Sequence, residues 1–442
     1  RVITTDTPEE TLKRVLPLVQ TIARRSAYLS LLCENPDSLK RLVELARTSP
    51  WIAAQLQKNP ALLDELLDDR SLYQMPDKTQ LQRELRAGVS AIASQDLEAQ
   101  MEFLRYFRNA HALRVAACEV SGAMPVMIVS DYLTYLAEVI LQYALQYVWT
   151  ELVAKYGYPD GDEREQSHFA VIGYGKLGGI ELGHSSDLDL VFIHDAALNG
   201  DTDGNSRGLK SIDNHTFFTR MGQKIIHLLN TKTPSGELYE VDMRLRPSGN
   251  SGLLVSAISG FEKYQRENAW NWEHQALVRA RAIAGDPGLC EKFERIRQDI
   301  LQTPRDLKTL AAEVVAMREK MRAHLGSKPS RSGRSFHIKH DPGGIVDIEF
   351  MVQYAVLAWS HAKPGLASFT DNIRILENLE QSNKLSAEEV AQLIEAYKAF
   401  RSVGHRLALQ NLPSHVDGKS LHGKRQSVLS IWQNIFSPAN RS

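Results

Sequence analysis

The sequence predicts an α+β protein that is mostly helical, with one small mixed-sheet α/β domain between an N-terminal helical region and a C-terminal helical bundle. Three observations predict it. Apolar residues recur at helical spacing from Thr7 to about Tyr156. Strand, glycine-rich loop and strand follow between Phe169 and His194, and then a helix and a further strand. From Asp371 to Phe436 helical spacing returns, around Ile373, Leu376, Leu379, Val403 and Leu407. A chain of 442 residues exceeds one ordinary core, and the expected domains are 1–160, 161–290 and 291–442.

In the first region, Thr7 precedes Pro8-Glu9-Glu10, an N-cap followed by proline and acids in a first helical turn. Leu12, Val15, Leu16, Val19 and Ile22 then give an apolar stripe. Pro36 and Asp37 open another helix, and Ser49-Pro50 and Asn59-Pro60 mark further breaks. The longest helix is expected from Ser130 to Lys155, stopped by Gly157 and Pro159. Its stripe of Tyr132, Leu136, Val139, Ile140, Tyr143, Tyr147 and Leu152 reads as packing against a neighbouring helix rather than as a binding face. Tyr158 to Gln166 is a polar, acidic linker.

The chemistry starts after that linker. The apolar run Phe169 to Ile172 breaks at Gly173, and four more glycines precede the next extended segment at Leu188. Asp187 and Asp189 stand two apart, so on a strand both carboxylates point to one face. Such a pair repels unless a cation lies between, and hard oxygen ligands suit Mg²⁺. The glycines let backbone N–H groups approach a triphosphate. A solvated edge strand would show the same alternation, but not the five glycines before it.

Gly173-Tyr174-Gly175-Lys176-Leu177-Gly178 also matches the dinucleotide fingerprint G-x-G-x-x-G, with Asp195 about twenty positions on. That motif needs a crossover helix and a parallel return strand. Only Gly179 to Ser186 separate the glycines from the next strand, and no helix fits there. The phosphate-binding loop G-x-x-x-x-G-K-[ST] fails as well, since Lys176 is followed by Leu177.

After the flexible stretch Asn199 to Asn205, His215 to Asn230 reads as an amphipathic helix, and Leu238 to Arg246 as a strand. A two-metal site needs a third carboxylate from a neighbouring strand, and Asp242 is the candidate; it could equally be a surface acid paired with Arg244. Ser251 to Ser256 is expected to be the last strand of the sheet. In the segment Trp270 to Arg281, His274 reads as a hydrogen-bonded structural histidine. Arg279 and Arg281 could reach phosphate or pair with Glu273 or Glu267.

Leu307 to Leu325 reads as a charged helix, Ser327 to Ser335 as a mobile basic loop, and Phe336 to His340 as a short strand. A helix from about Val346 to Trp359 follows Gly343-Gly344, with Asp347 and Glu349 placed to favour its N-terminal dipole. His337 and His340 have no further ligands clustered in sequence, which speaks against a metal there.

Composition narrows the function. Net charge is −1 and the pI is near 7.0, without the basic footprint of a nucleic-acid enzyme. Cys33, Cys118 and Cys290 lie far apart, so neither a zinc site nor a disulfide framework is expected. No apolar run reaches membrane-spanning length. A cytoplasmic location is expected, and a start at Arg1 without Met suggests a piece of a longer polypeptide.

The run Gly-Tyr-Gly-Lys-Leu-Gly-Gly-Ile-Glu-Leu-Gly-His-Ser-Ser-Asp-Leu-Asp-Leu (173–190) resembles the signature of the glutamine synthetase adenylyltransferase family, within the polymerase-beta-like nucleotidyltransferase superfamily. Asp242-Met-Arg244-Leu-Arg246-Pro-Ser-Gly resembles a second segment of that family, and Lys339-x-Asp341 with Gly-Gly-Ile-Val-Asp-Ile-Glu-Phe a third, whose role the residues do not reveal. Family proteins carry two catalytic halves, and this sequence is more similar to the C-terminal, adenylylating one. The resemblance implies transfer of AMP from ATP to a tyrosine hydroxyl of glutamine synthetase with release of pyrophosphate, and a two-metal Mg²⁺ site on Asp187, Asp189 and Asp242. It implies that Gly178, Gly179 and Ser186 cradle the phosphates, assisted by Lys176, with Arg244 or Arg246 neutralising the leaving group. The metal lowers the pKa of the attacking hydroxyl, so no dedicated histidine is called for. Regulation by glutamine and by the PII signalling protein, and cooperation with the missing N-terminal half, are also implied; nucleic acid and membrane are not. Three rivals stay open: phosphorolytic removal of AMP by the sister activity, a small-molecule or RNA nucleotidyltransferase (the neutral charge balance weakens the RNA version), and a regulatory binding module without catalysis.

Overall fold

The computed structural model describes residues 6–23, 26–67, 72, 75–93, 95–162, 167–327 and 335–437. Residues 163–166 of the expected linker and 328–334 of the expected basic loop lie outside them.

Five strands form a mixed sheet: β1 (Phe169–Gly173), β2 (Leu188–His194), β3 (Val241–Asp242), β4 (Val255–Ala257) and β5 (Arg281–Gly285). The path runs β3-β2-β1-β5, with β4 also paired to β2. Strands β1 and β2 are antiparallel, Val171 opposite Phe192, whereas β3 and β4 run parallel to β2. The antiparallel return disposes of the dinucleotide reading, which requires a parallel one. One helical turn, Gly175–Gly178, does form, but inside the glycine run and not in the spacer after it.

The sheet is the wall between two cores, and the strand period of two assigns the residues. Phe169, Val171, Leu190 and Phe192 face a core with the helices Val126–Tyr156 and Asn214–Asn230. Ala170, Ile172, Val191 and Ile193 face a core built from Phe261, Phe293 and the helices of the C-terminal part. Both central strands are therefore buried on both faces and read as continuous apolar runs. Each fully buried Phe here contributes about 1.5–3 kcal/mol of burial free energy. Gly222 lets the Asn214–Asn230 helix approach the sheet, since a Cβ there would stand 2.9 Å from Val255 and 3.1 Å from Phe192. That helix is capped by Asp213, whose carboxylate accepts from the Thr216 N–H at 2.8 Å.

A third core lies in the N-terminal helices, and Leu409, at the end of the long C-terminal helix Ala387–Leu409, is buried in it. The Leu409 carbonyl also accepts from Ser49 Oγ at 2.8 Å. The Val126–Tyr156 helix ends at Gly157, whose φ of +77° is the left-handed conformation that favours glycine. Its Tyr132, Leu136, Val139, Ile140 and Leu152 are buried, as a packing stripe requires; Tyr143 and Tyr147 are only partly covered.

Four sequence expectations are corrected. On the first helix, Pro8–Ile22, the inward line is Val15, Leu18 and Ile22, and Leu12, Leu16 and Val19 are exposed. The strand expected over Leu238 to Arg246 shrinks to Val241–Asp242. The Leu238 and Tyr239 N–H groups both turn to the Leu229 carbonyl, and the Arg244 N–H turns back to Asp242 Oδ1. The sheet does not end near residue 256: Arg281–Gly285 adds β5 against β1, with a bulge at Val171/Ile172. The expected strand Phe336 to His340 is also short. Ser335–His337 pairs with His415–Asp417, and Asp341 draws the chain into a turn by accepting from the His337 N–H at 2.8 Å.

Candidate active site

Parallel pairing of β2 with β3 puts Asp189 directly opposite Asp242, so both carboxylates leave the sheet on the same face. Asp187, two residues earlier, joins them, and one carboxylate oxygen of each lies within 4.8 Å of the others. Burial and the neighbouring charges of Asp187 and Asp242 push Asp189 up to about 6. Such an arrangement is repulsive by itself and becomes favourable around a divalent cation. The all-oxygen donor set fits Mg²⁺. Gly175 closes on this face with a φ of +56°, and a Cβ there would stand 2.6 Å from Asp189 Oδ2.

Asp242 realises both of its sequence alternatives. While it stands in the acidic cluster, it also accepts from the Arg244 N–H at 2.8 Å and from Arg244 Nε at 2.7 Å, and that arginine holds its pKa below the ordinary range. The Arg244 side chain is otherwise exposed, and its Nη2 also pairs with Asp242 Oδ2. Arg246 is committed differently, donating to the carbonyls of Met243, Asn250 and Gly252 and fixing its own turn.

Close to the carboxylates, Lys176 Nζ donates to Ser186 Oγ at 3.4 Å, and Ser186 Oγ in turn accepts from the Gly183 N–H at 2.9 Å. Burial is the main cause that lowers Lys176 to about 8, reinforced by Lys339 and Arg401. Gly178 and Gly179 do not offer the phosphate cradle expected from sequence: their N–H groups close the helical turn on Tyr174 and Gly175. These two positions lack side chains for a packing reason. A Cβ on Gly178 would stand 2.0 Å from the Arg279 carbonyl, and one on Gly179 would stand 2.5 Å from the Arg279 guanidinium. The Gly178 carbonyl is held by Thr370 Oγ1 at 2.8 Å and Arg281 Nε at 3.2 Å.

Beneath the loop lies an ionic network that local sequence did not reveal. Glu181, fully buried, accepts from Tyr397 Oη at 2.5 Å and from the Asn372 N–H at 3.2 Å, and pairs with Arg279 and, at 3.6 Å, with Arg401. Glu349 takes the other arm of Arg279 at 2.5 Å. Burial opposes the Arg279 charge, but Glu181 and Glu349 outweigh it and raise its pKa. Arg279 therefore pairs with neither Glu273 nor Glu267, and Arg281 pairs with Glu138 of the long N-terminal helix. Asp347 stands in the first turn of the Ile345–Trp359 helix, as expected, and is buried there against Arg318 at 2.5 Å and the Gly343 N–H at 2.6 Å. His274 is structural, as expected, facing the Gln265 carbonyl at 2.9 Å.

Glu119, His184 and His405 form a second cluster of ligand-type atoms within 4.8 Å. Here His184 Nε2 lies 2.6 Å from Glu119 and His405 Nδ1 lies 3.1 Å from it. Arg401 Nη2 points at His405 Nε2 at 3.3 Å, so that nitrogen accepts and Nδ1 carries the proton to Glu119. The trio is a hydrogen-bonded strut between three parts of the chain. Burial would raise Glu119, but its two histidine partners hold it at about 2, while burial keeps His405 down at about 4.

A family profile described as glutamate-ammonia ligase adenylyltransferase matches residues 39–296, and one described as GlnD PII-uridylyltransferase matches residues 315–415. The chain is 54% identical over 440 residues to a bifunctional glutamine synthetase adenylyltransferase/adenylyl-removing enzyme of Pseudomonas syringae, covering 97% of this chain and 44% of that protein. Proteins of the same description from Hahella chejuensis and Nitrosococcus oceani are 53% and 50% identical, over 97% and 98% of this chain and 44% of each relative. The chain thus spans about half the length of the curated relatives it matches.

Proposed function

The chain belongs to the glutamate-ammonia ligase adenylyltransferase family, and from that premise we propose that it transfers AMP from ATP to a tyrosine hydroxyl of glutamine synthetase. The observation that carries this reading is the face of three carboxylates, Asp187, Asp189 and Asp242, with Lys176 and Arg244 close by. Asp187, Asp189 and Asp242 would hold Mg²⁺, which screens triphosphate charge and acidifies an acceptor hydroxyl.

The remaining work belongs to the chain itself. Lys176, with Ser186 at its Nζ, offers positive charge to the phosphates. Gly175 keeps that approach open beside Asp189. Arg244 exchanges Asp242 for the departing pyrophosphate, because its guanidinium is the exposed one; Arg246 positions the turn that presents it. The acceptor oxygen attacks the α-phosphorus, its bond to the β-bridging oxygen breaks, and pyrophosphate leaves as the hydroxyl proton is released. Residues 161–290 carry this chemistry, with helical domains at 1–160 and 291–442. Control by glutamine and by PII would act on the full-length protein in the cytoplasm, together with the half of the relatives that this chain does not span.

The direction of the reaction is tested by co-substrate. With unmodified glutamine synthetase, Mg²⁺ and ATP labelled at the α-phosphate, label should appear on one tyrosine peptide. Release of ADP from pre-adenylylated glutamine synthetase on adding inorganic phosphate, without labelling in the first assay, would assign the sister reaction instead.

A further inference from the structure

The third family-like segment, Lys339 to Phe350, gives Asp347 and Glu349 to buried ion pairs, whereas Lys339 has no ion pair among the described residues. Its first residue has a fixed position. The Lys339 carbonyl accepts from the Val346 N–H at 3.2 Å, and the flanking Ile338 is tied to Ser414 and Ile345 by backbone hydrogen bonds of 3.1 and 2.9 Å. Asp341 organises the same turn by accepting from the N–H groups of His337 and Ser327, at 2.8 and 2.7 Å. A rigid turn therefore carries Lys339 to the edge of a cavity of about 280 Å³.

That cavity opens between the glycine loop and the C-terminal helices, and Lys176, Ser186, Lys339, Glu349 and Arg401 line it. Its charge is unbalanced. Glu349 is engaged by Arg279, and Arg401 by the Glu181 carbonyl and Ser130. Among the described residues neither Lys176 nor Lys339 has a carboxylate within ion-pair distance. Two lysines from different parts of the chain thus line one cavity near Asp187 and Asp189, and the Lys339 charge acts on Asp189. The neighbouring acids are engaged elsewhere, Glu349 by Arg279 and Asp187 and Asp189 in the carboxylate cluster, so two lysines without an ion pair of their own suit an anion with several charged oxygens.

We infer that Lys339 is a second polyphosphate-binding residue, so that the nucleotide is held across the cleft, by Lys176 from the sheet domain and by Lys339 from the C-terminal helical part. This inference rests on the proposed use of ATP and adds a residue that binds the β- and γ-phosphates. The PII-uridylyltransferase profile that covers residues 315–415 is in keeping with nucleotide chemistry in this part of the chain.

The test is equilibrium binding of ATP and of AMP, each with Mg²⁺, to the full-length enzyme and its Lys339→Met and Lys339→Arg variants. Loss of one charge-assisted contact should weaken ATP binding by about ten-fold or more in Lys339→Met and leave AMP binding within about two-fold. Lys339→Arg should keep most of the ATP affinity. Equal weakening of ATP and AMP would mean that Lys339 only shapes the cavity, and unchanged ATP affinity would remove it from the site; either overturns the inference. A wild-type enzyme that binds no ATP would overturn the proposed function itself, and this inference with it.

Discussion

Replacing Glu181 with Gln probes how the glycine loop is held. The carboxylate is fully buried and faces two guanidiniums whose side chains are 4% and 6% exposed, those of Arg279 and Arg401. The variant keeps the shape and the acceptor oxygen for Asn372 or Tyr397, but leaves two buried cations against Glu349 alone. At the 3.6 Å separation of Arg401 from Glu181, Coulomb's law with an effective dielectric of about 20 gives roughly 4–5 kcal/mol for that pair. Breaking a buried pair by removing one partner costs about 3–5 kcal/mol, so Glu181→Gln should lose about that much. Urea unfolding at pH 7 measures it as a lower midpoint with an unchanged slope. Removing Arg279 as well, as Glu181→Gln with Arg279→Gln, should recover part of the loss, because the stranded charge goes with it. A loss below about 1 kcal/mol, or a double variant no better than the single, would refute a charge-compensated network.

Two further predictions concern the fold. Burial lowers His111, His194 and His405 to about 3, 4 and 4, so all three stay neutral in the native protein at pH 5. The unfolded chain binds protons at these residues below about 6.5, so stability rises with pH between about 4 and 6.5 and gains nothing above that. Urea midpoints at pH 7 and pH 5 should differ by on the order of 1–2 kcal/mol per histidine, and a flat profile would contradict this. Gly178→Ala should destabilise by about 2 kcal/mol or more, because its Cβ would meet the Arg279 backbone. Gly260→Ala, in the helix Ile258–Glu267 with nothing within 4 Å, should stabilise by about 0.5–1 kcal/mol; equal shifts in thermal midpoint would contradict the packing reason given for Gly178.

The carboxylate face was legible because its geometry is local. Asp187 stands immediately before β2 and Asp189 within it, so two residues of extended chain put both on one side. Asp242 could be nominated but not placed, since only the parallel register of β2 with β3 sets it opposite Asp189. Helix positions were readable from periodicity: Leu307–Leu325 matches the expectation, and Asn214–Asn230 and Ile345–Trp359 each begin one residue earlier than expected. Partners distant in sequence left no local signal. Glu181 lies 98 residues from Arg279 and 216 from Tyr397, so nothing near the motif announces why Gly178 and Gly179 must lack side chains. The same distance hid Lys339, which reaches Lys176 only because the C-terminal helices pack behind the glycine loop. β5 escaped because Arg-Ala-Ile-Ala-Gly (281–285) carries one β-branched residue and no strand pattern, and its pairing with β1 is set by the sheet edge alone.

The central claim is that Asp189 supports chemistry and not the fold, and Asp189→Asn tests it most directly. The variant should transfer α-phosphate label from ATP to glutamine synthetase at least about a thousand-fold more slowly. Its thermal midpoint without divalent cation should be unchanged or higher, because one of three mutually repelling carboxylates has lost its charge. A variant that labels glutamine synthetase within about ten-fold of the wild-type rate, with the fold intact, would contradict the account.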